Sequence, residues 1–300
     1  MVPVAGLPVT EHQILAAKAA GIHTLVLATS YLSEVFTPYF GDGAKWGMRI
    51  LYAVEEEPLG TGGAIRNAAE LLNLGQLGDE PIVIFNGDVL SRHSIANQIS
   101  FHQSKGADVT LHLIEVEDAR AFGCVPTDAD GRVSAFLEKM DNPVTNSINA
   151  GCYIFSPSVI QTIPLGKVVS IERETFPALV NDARPVFGYN EQAYWLDVGT
   201  PAALFQGSRD LIEGEFHAMP GCTIDPTARI SGKSSLGRDV VVGAGCVIDD
   251  CIVGDGCVIE AGSHLSHSFI LNNTVISVGA ANSQAEGRYL SSSQNEPINY

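Results

Sequence analysis

Apolar positions along this chain keep one kind of spacing up to about residue 213 and another beyond it. Residues 10–18, Thr-Glu-His-Gln-Ile-Leu-Ala-Ala-Lys, are spaced as a helix, with Thr10 as N-cap, Gln13 three residues on as in a capping box, and Gly21 as the stop. Residues 22–28 read as a strand, 33–40 as a helix, 48–54 as a strand and 63–72 as a helix. The run Pro81-Ile82-Val83-Ile84-Phe85-Asn86-Gly87-Asp88-Val89 follows. Its four consecutive apolar residues show no alternation and predict a strand buried on both faces.

Downstream, a helix is expected at 95–105, a strand at 108–116, shorter strands at 123–127, 133–138 and 150–155, and a helix at 175–181. Thr200-Pro201 opens a helix reaching about Glu213, with Thr as N-cap and Pro at the first helical position. Strands alternating with helices at this spacing imply right-handed crossovers and an α/β, Rossmann-like, mostly parallel sheet.

The spacing changes near Gly214. From Ile224, aliphatic residues recur six apart at Ile230, Leu236, Val242 and Ile248; after a five-residue step at Val253 the six-residue step resumes with Ile259 and Leu265. A hexapeptide period predicts a parallel β-helix, each aliphatic residue pointing into a narrow prism-shaped core. The expected division is therefore 1–213 as the sheet domain, 214–221 as linker, 222–279 as a short left-handed β-helix, and 280–300 as a flexible Ser-, Asn- and Gln-rich tail.

Composition narrows the function classes. Three hundred residues with 45% hydrophobic content support two packed domains. Seventeen Lys+Arg against 34 Asp+Glu give a formal net charge of −17, which argues against a nucleic-acid or anionic-membrane surface. Phosphates would need a local cation, such as a metal, a buried Lys or a helix N-terminus. The six cysteines form no Cys-x-x-Cys pair and read as reduced, mostly buried thiols of a cytoplasmic protein; no apolar run is long enough to span a bilayer.

Five stretches carry chemistry. Asn86-Gly87-Asp88 ends its strand where α/β sheets gather ligands, and Gly87 leaves room for close approach, although the same residues also suit a plain turn. In Glu55-Glu56-Glu57-Pro58-Leu59-Gly60-Thr61-Gly62-Gly63-Ala64, a glycine-rich turn opening a helix offers backbone N–H groups to a ligand, or is simply a tight loop. Arg132-Val133-Ser134-Ala135-Phe136-Leu137-Glu138-Lys139 puts a scarce Lys after an apolar run. Asn149 stands just ahead of a buried strand in Ile148-Asn149-Ala150-Gly151, and Asp197 stands between an aromatic strand and a helix start in Trp195-Leu196-Asp197-Val198-Gly199. His264 and His267 read as surface positions of the β-helix, and Glu172–Glu174 as a sugar contact or a helix cap.

Taken in order, these stretches resemble one family. Nucleotide-diphosphate-sugar pyrophosphorylases carry a Leu-Gly-Thr loop, a strand ending in Gly-Asp, a Glu-Lys, an Asn-Ala-Gly and a Trp-x-Asp-x-Gly. The subgroup most similar is mannose-1-phosphate guanylyltransferase, through Glu56-Glu57-Pro58-Leu59-Gly60-Thr61, Ser170-Ile171-Glu172-Arg173-Glu174-Thr175-Phe176-Pro177 and the motifs above. The resemblance covers about residues 1–213, and the hexapeptide repeats fit, since many members append a left-handed β-helix.

The resemblance implies transfer of a nucleotidyl group from a nucleoside triphosphate, GTP favoured, to a sugar 1-phosphate, mannose favoured, with release of pyrophosphate. It assigns Mg²⁺ to Asp88 and Asp197, the sugar phosphate to Lys139, sugar hydroxyls to Glu138 and Asn149 beside Gly151, base and ribose to Gly60, Thr61 and Gly62, and guanine's donors to Glu57. It leaves a homo-oligomer open. The family's phosphate loop, Gly-Gly-x-Gly-Thr-Arg, would stand just ahead of Met1. A misplaced start is favoured over a degraded gene copy, and the polypeptide as written is expected to bind triphosphate poorly and to leave two sheet edges unpaired. The alternatives are the same chemistry with dTTP or UTP and glucose 1-phosphate, or a catalytically inactive regulatory subunit. A hexapeptide acyltransferase is disfavoured because its repeats would form most of the chain.

Overall fold

A computed structural model describes residues 3–29, 33–137, 140–277, 284–286, 288–290 and 295–297. The chain forms two compact units, one of Gln13–Trp195 and one of Met1–His12 with Leu196–Tyr300. The division falls earlier than the 214–221 linker read from the sequence. The cause is the helix Pro201–Leu211, whose Phe205 packs with Ile252 and Phe269 of the repeats.

In the unit Gln13–Trp195, four strands lie in the order Ile82–Phe85, Ser147–Phe155, Val109–Glu115, Val186–Asn190. Ser147–Phe155 runs antiparallel to both neighbours, and the other three run the same way. Thr24–Thr29 and Arg49–Val54 form a separate parallel pair. The hydrophobic core centres on Phe176, whose ring meets those of Phe136, Tyr153 and Phe155 at centroid distances of 5.0, 5.2 and 6.0 Å. The run 82–85 is half-buried rather than buried on both faces, because it is an edge strand pairing with Ser147–Phe155 alone among the described residues.

The helix expected at 10–18 spans Val9–Ala19 and begins straight after the strand Leu7–Pro8, so Thr10 lies inside it rather than capping it. Gln13 takes no capping-box role, since its side chain reaches another element. The stop at Gly21 is as expected: its φ is +82°, and its N–H donates to the Lys18 carbonyl at 3.0 Å.

A polar seam crosses this core. Gln98, fully buried, donates to the carbonyls of Thr110 and Cys152 and accepts from His93 Nε2 at 2.9 Å. The His93 ring stacks on His112 at 3.8 Å, and His112 Nε2 donates to the Glu191 carbonyl at 3.1 Å. Burial, with His93 alongside, lowers His112 to about 4, and burial lowers His102 to about 4.

The other unit is a parallel β-helix. Ile230, Ile248 and Leu265 stack in register on one face, Leu236, Val253 and Ile270 on the second, and Val242, Ile259 and Ile276 on the third. All of these are buried. The five-residue step at Val253 recurs between Leu265 and Ile270, so it belongs to every full coil after the first. Gln284–Glu286 pairs with His264–Ser266 and Arg288–Leu290 with Phe269–Ile270, which carries the coil past 279. Asn295–Pro297 then pairs antiparallel with Arg288–Leu290, so these parts of the expected 280–300 tail are strand, and its other residues lie outside the described residues. All six cysteines are free thiols, five of them buried. No helix among the described residues is long and apolar enough to cross a membrane.

The buried imidazoles set an acid limit on stability. A free imidazole titrates near 6.5, so between that pH and about 4 the unfolded chain binds protons that folded His102 and His112 refuse. Their contribution is complete above pH 6.5 and is lost as the pH falls toward 4. Asp108 facing His102, and Glu191 facing His112, soften the loss without reversing it. Each ring is expected to withdraw up to roughly 3 kcal/mol across this window. Melting temperature followed from pH 7 to 4 should fall, and a His102→Gln variant should show a shallower slope.

Candidate functional site

The site begins where the strand Ile82–Phe85 ends. The Asn86 amide donates to the Gly151 carbonyl at 2.8 Å, continuing the pairing with Ser147–Phe155 by one residue, and the Val89 amide donates back to Asn86 O at 3.3 Å. Asn86-Gly87-Asp88-Val89 is therefore a turn, and it presents a carboxylate. Asp88 is exposed, and among the described residues no hydrogen bond or ion pair holds its side chain. A Cβ placed on Gly87 would meet nothing within 4 Å, so the space beside this carboxylate is open.

Gln13 fixes the turn from behind, its side-chain amide donating to Asn86 O at 2.7 Å and Val89 O at 2.9 Å. Sequence reasoning missed this role, because the two partners lie 73 and 76 residues away. Gly151 has φ +77°, and a Cβ there would meet Asn86 Nδ2 and Val89 Cγ2, both at 3.1 Å. Asn149 donates to the buried Tyr153 hydroxyl at 2.9 Å and accepts from the Gly151 amide at 3.2 Å. An amide offers two donors and two acceptor lone pairs, so one of each remains. Trp195 Nε1 donates to Ala150 O at 2.9 Å. The Asn-Gly-Asp and Asn-Ala-Gly stretches thus share one locus.

The glycine-rich stretch binds elsewhere in its own chain. The amides of Gly62 and Gly63 both donate to Val169 O, at 2.8 and 3.4 Å, and the Val169 amide donates to Leu59 O at 2.9 Å. Thr61 Oγ1 accepts from the Ile171 amide at 2.9 Å and donates to Glu172 Oε2 at 3.2 Å. This corrects the reading of Gly62 and Gly63 as free donors: the residues lack side chains so that the 167–169 backbone can lie against them. In the Glu172–Glu174 stretch, left between a sugar contact and a cap, Glu174 does cap: the Ser170 amide donates to its Oε1 at 2.8 Å, while Ser170 Oγ accepts from the Arg173 amide at 3.2 Å. Glu57 is exposed in the loop before the helix Gly60–Glu70.

Asp197, in the β-helical unit, ends the strand Trp195–Asp197. It is exposed, and its Oδ1 accepts from the Gly199 amide at 2.9 Å. Thr200 caps the next helix by accepting from the Ala203 amide at 3.2 Å, as expected. Glu138 and Lys139 lie outside the described residues; Leu137, just before them, pairs with Cys124 through 2.8 and 3.0 Å bonds. His264 and His267 are exposed, on a strand and at a corner of the β-helix respectively. No three His, Cys, Asp or Glu side chains cluster as a metal site among the described residues. A hard cation completed by substrate phosphates needs only one or two carboxylates, and the open Asp88 fits that use.

An α/β sheet carries polar groups at its strand ends and a parallel β-helix follows it in the chain, and comparison with known proteins gives the class. The family model described as nucleotidyl transferase matches residues 1–214. A mannose-1-phosphate guanylyltransferase of Mycobacterium tuberculosis is 44% identical over 275 residues, covering 87% of this chain and 75% of that protein. Probable mannose-1-phosphate guanylyltransferase 2 of Oryza sativa subsp. japonica is 33% identical over 289 residues, covering 92% and 79%. Among solved structures, HddC from Yersinia pseudotuberculosis complexed with GMP-PN superposes with a TM-score of 0.59 at 24% identity, covering 71% of this chain and 89% of that one. That likeness supports the fold alone. The chain belongs to the nucleotidyl transferase family, as one of its mannose-1-phosphate guanylyltransferase-like enzymes.

The clasp between the glycine loop and 167–172 is testable by one methyl group. A Cβ on Gly63 would stand 2.4 Å from Lys167 O and 2.8 Å from Leu59 Cβ. Gly63→Ala is expected to cost about 2–3 kcal/mol of stability in chemical denaturation, while Ala at Gly75, where a Cβ meets nothing, should cost less than about 0.5 kcal/mol.

Proposed function

We propose that this chain makes GDP-mannose, transferring a guanylyl group from GTP to mannose 1-phosphate. A phosphate oxygen of the sugar phosphate attacks the α-phosphorus in line, the bond from the α-phosphorus to its bridging oxygen breaks, and pyrophosphate leaves. The observation that carries the substrate pair is the 44% identity, over most of both chains, with a protein named mannose-1-phosphate guanylyltransferase.

The protein's work in such a transfer is mainly positioning and charge placement. Asp88 and Asp197 are the carboxylates assigned to Mg²⁺, which when bound neutralises charge on the phosphates. The open carboxylate of Asp88, on a turn held by Gln13 and Gly151, supports this use. Asn149 keeps one donor and one acceptor for sugar hydroxyls beside Gly151. From the sequence, Lys139 is assigned to the sugar phosphate and Glu138 to the sugar hydroxyls. Gly60, Thr61 and Gly62 line the nucleoside as a rigid wall, and exposed Glu57 accepts from the guanine N1–H and amino group. Six unpaired thiols support a reducing, cytoplasmic setting.

Pyrophosphate release measured across four nucleoside triphosphates and several sugar 1-phosphates should be fastest for GTP with mannose 1-phosphate. Equal or faster turnover with dTTP or UTP and glucose 1-phosphate overturns the assignment, and no turnover with any pair favours a regulatory subunit. Asp88→Asn should reduce turnover at least about a hundredfold. Its stability should stay within about 0.5 kcal/mol, because the side chain is exposed.

A further inference from the structure

The β-helix turns its corners on residues in the left-handed backbone region, each donating its amide to the coil before it. At one corner these are Asp239, Gly256 and Asn273, and at another Gly245 and Gly262, types that tolerate this conformation. At the third they are Lys233, Asp250 and His267, with φ of 63°, 52° and 46°. Lysine is not favoured there, so its presence calls for a reason in what it touches.

This corner faces the helix Pro201–Leu211. Lys233 Nζ donates to Ile212 O at 2.7 Å, at the helix C-terminus, where a cation suits the helix dipole. Asp250 Oδ2 lies 3.2 Å from Arg209 Nη1 and 3.4 Å from His267 Nε2. The Asp250 side chain is 7% exposed and that of Arg209 is 50% exposed. On the same face Phe205 meets Phe269 edge-on at 6.2 Å and packs with Ile252. Apolar contact of this kind holds a helix down without fixing its position along the surface, whereas an ion pair to a buried carboxylate fixes where the guanidinium must stand. The path back to the helix start is short and stiff. The Thr200 side chain caps the first turn, and the Gly199 amide two residues after Asp197 binds the Asp197 carboxylate.

We propose that Asp250, acting through Arg209, is a positioning residue for Asp197: the β-helix corner sets the register of the helix Pro201–Leu211, which begins four residues after that carboxylate. This rests on the reading of Asp197 as a metal-binding carboxylate. The β-helix is then part of the transfer machinery, rather than an appendage.

The test compares Asp250→Asn, Arg209→Gln, Arg209→Lys and Asp197→Asn in the full chain. Two readouts are taken: amide hydrogen exchange of residues 199–211 without metal or substrate, and the Mg²⁺ concentration giving half-maximal turnover. Asp250→Asn and Arg209→Gln should speed exchange at 199–211 about tenfold or more, with the β-helix strands unchanged. They should raise the half-maximal Mg²⁺ concentration about tenfold and leave the KM for mannose 1-phosphate within about twofold. Arg209→Lys, which keeps the charge, should recover most of both effects. Arg209 is half exposed, so Arg209→Gln decides the matter if Asp250→Asn fails to fold. Unchanged exchange and Mg²⁺ dependence in Arg209→Gln, with Asp197→Asn inactive, overturns the positioning role and leaves the metal reading standing. Wild-type turnover and Mg²⁺ dependence in Asp197→Asn overturns the metal reading, and the positioning role with it.

Discussion

The bond from the Asn86 amide to the Gly151 carbonyl, 2.8 Å long, sets where the exposed carboxylate of Asp88 stands. It adds one rung to the pairing of Ile82–Phe85 with Ser147–Phe155, and the turn lies close over that rung because residue 151 has no side chain. With φ at +77°, an L-residue there would be strained, and its Cβ would press on both Asn86 and Val89. The glycine lets the turn 86–89 lie close over the neighbouring strand, where Gln13 can grip two of its carbonyls. The Asn149 side chain bends back to its own strand, bonding the Gly151 amide and the Tyr153 hydroxyl. Asp88 is therefore exposed but not loosely held: its backbone is fastened from two sides while its carboxylate remains open.

The glycine loop illustrates the opposite use of the same residue type. At Gly60, Gly62 and Gly63 a Cβ would stand 2.7, 2.9 and 2.4 Å from atoms of Val169 or Lys167, so these glycines admit the chain itself. Together with the Thr61 hydroxyl bridging Ile171 and Glu172, they join two stretches more than a hundred residues apart. A π-helical turn at Ile171–Thr175, of the sort that often marks functional segments, begins where this clasp ends. The loop is thus a fixed wall, shaped by backbone already satisfied, rather than a row of waiting donors.

Much of this was legible in the chain because it is written in short-range spacing. Six-residue steps gave the β-helix, Thr200-Pro201 gave a capped helix start, and the end of an apolar run located Asp88. Other features leave no local trace. Four apolar residues in a row read as fully buried, but edge position depends on the sheet order, which spacing does not encode. Period also carries no strand direction, so the antiparallel course of Ser147–Phe155 was invisible. A glycine-rich turn looks the same whether it receives a phosphate or Val169. Gln13 and the stacked His93 and His112 act across distances of 19 to 76 residues, and only the folded chain brings their partners near.

The five-residue step was the one irregularity visible in the repeats, and the structure gives it meaning. Between Ile230 and Leu236 the corner holds Gly232 and Lys233, both left-handed, whereas between Ile248 and Val253, and again between Leu265 and Ile270, one residue fewer makes the turn. The shorter corner still closes because Asp250 and His267 each adopt the left-handed conformation and donate their amides to Ser231 O and Asp249 O of the preceding coil. Backbone geometry there asks only for a residue that tolerates positive φ, and Gly, Asn and Asp meet that demand at the other corners. A charged sequence of Lys, Asp and His at successive coils exceeds what the corner requires. What it matches instead is the helix beside it, with a carbonyl for Lys233 and a guanidinium for Asp250. Corner shape follows from the backbone, corner chemistry follows from the helix it holds, and the two meet at the corner where the step shortens to five.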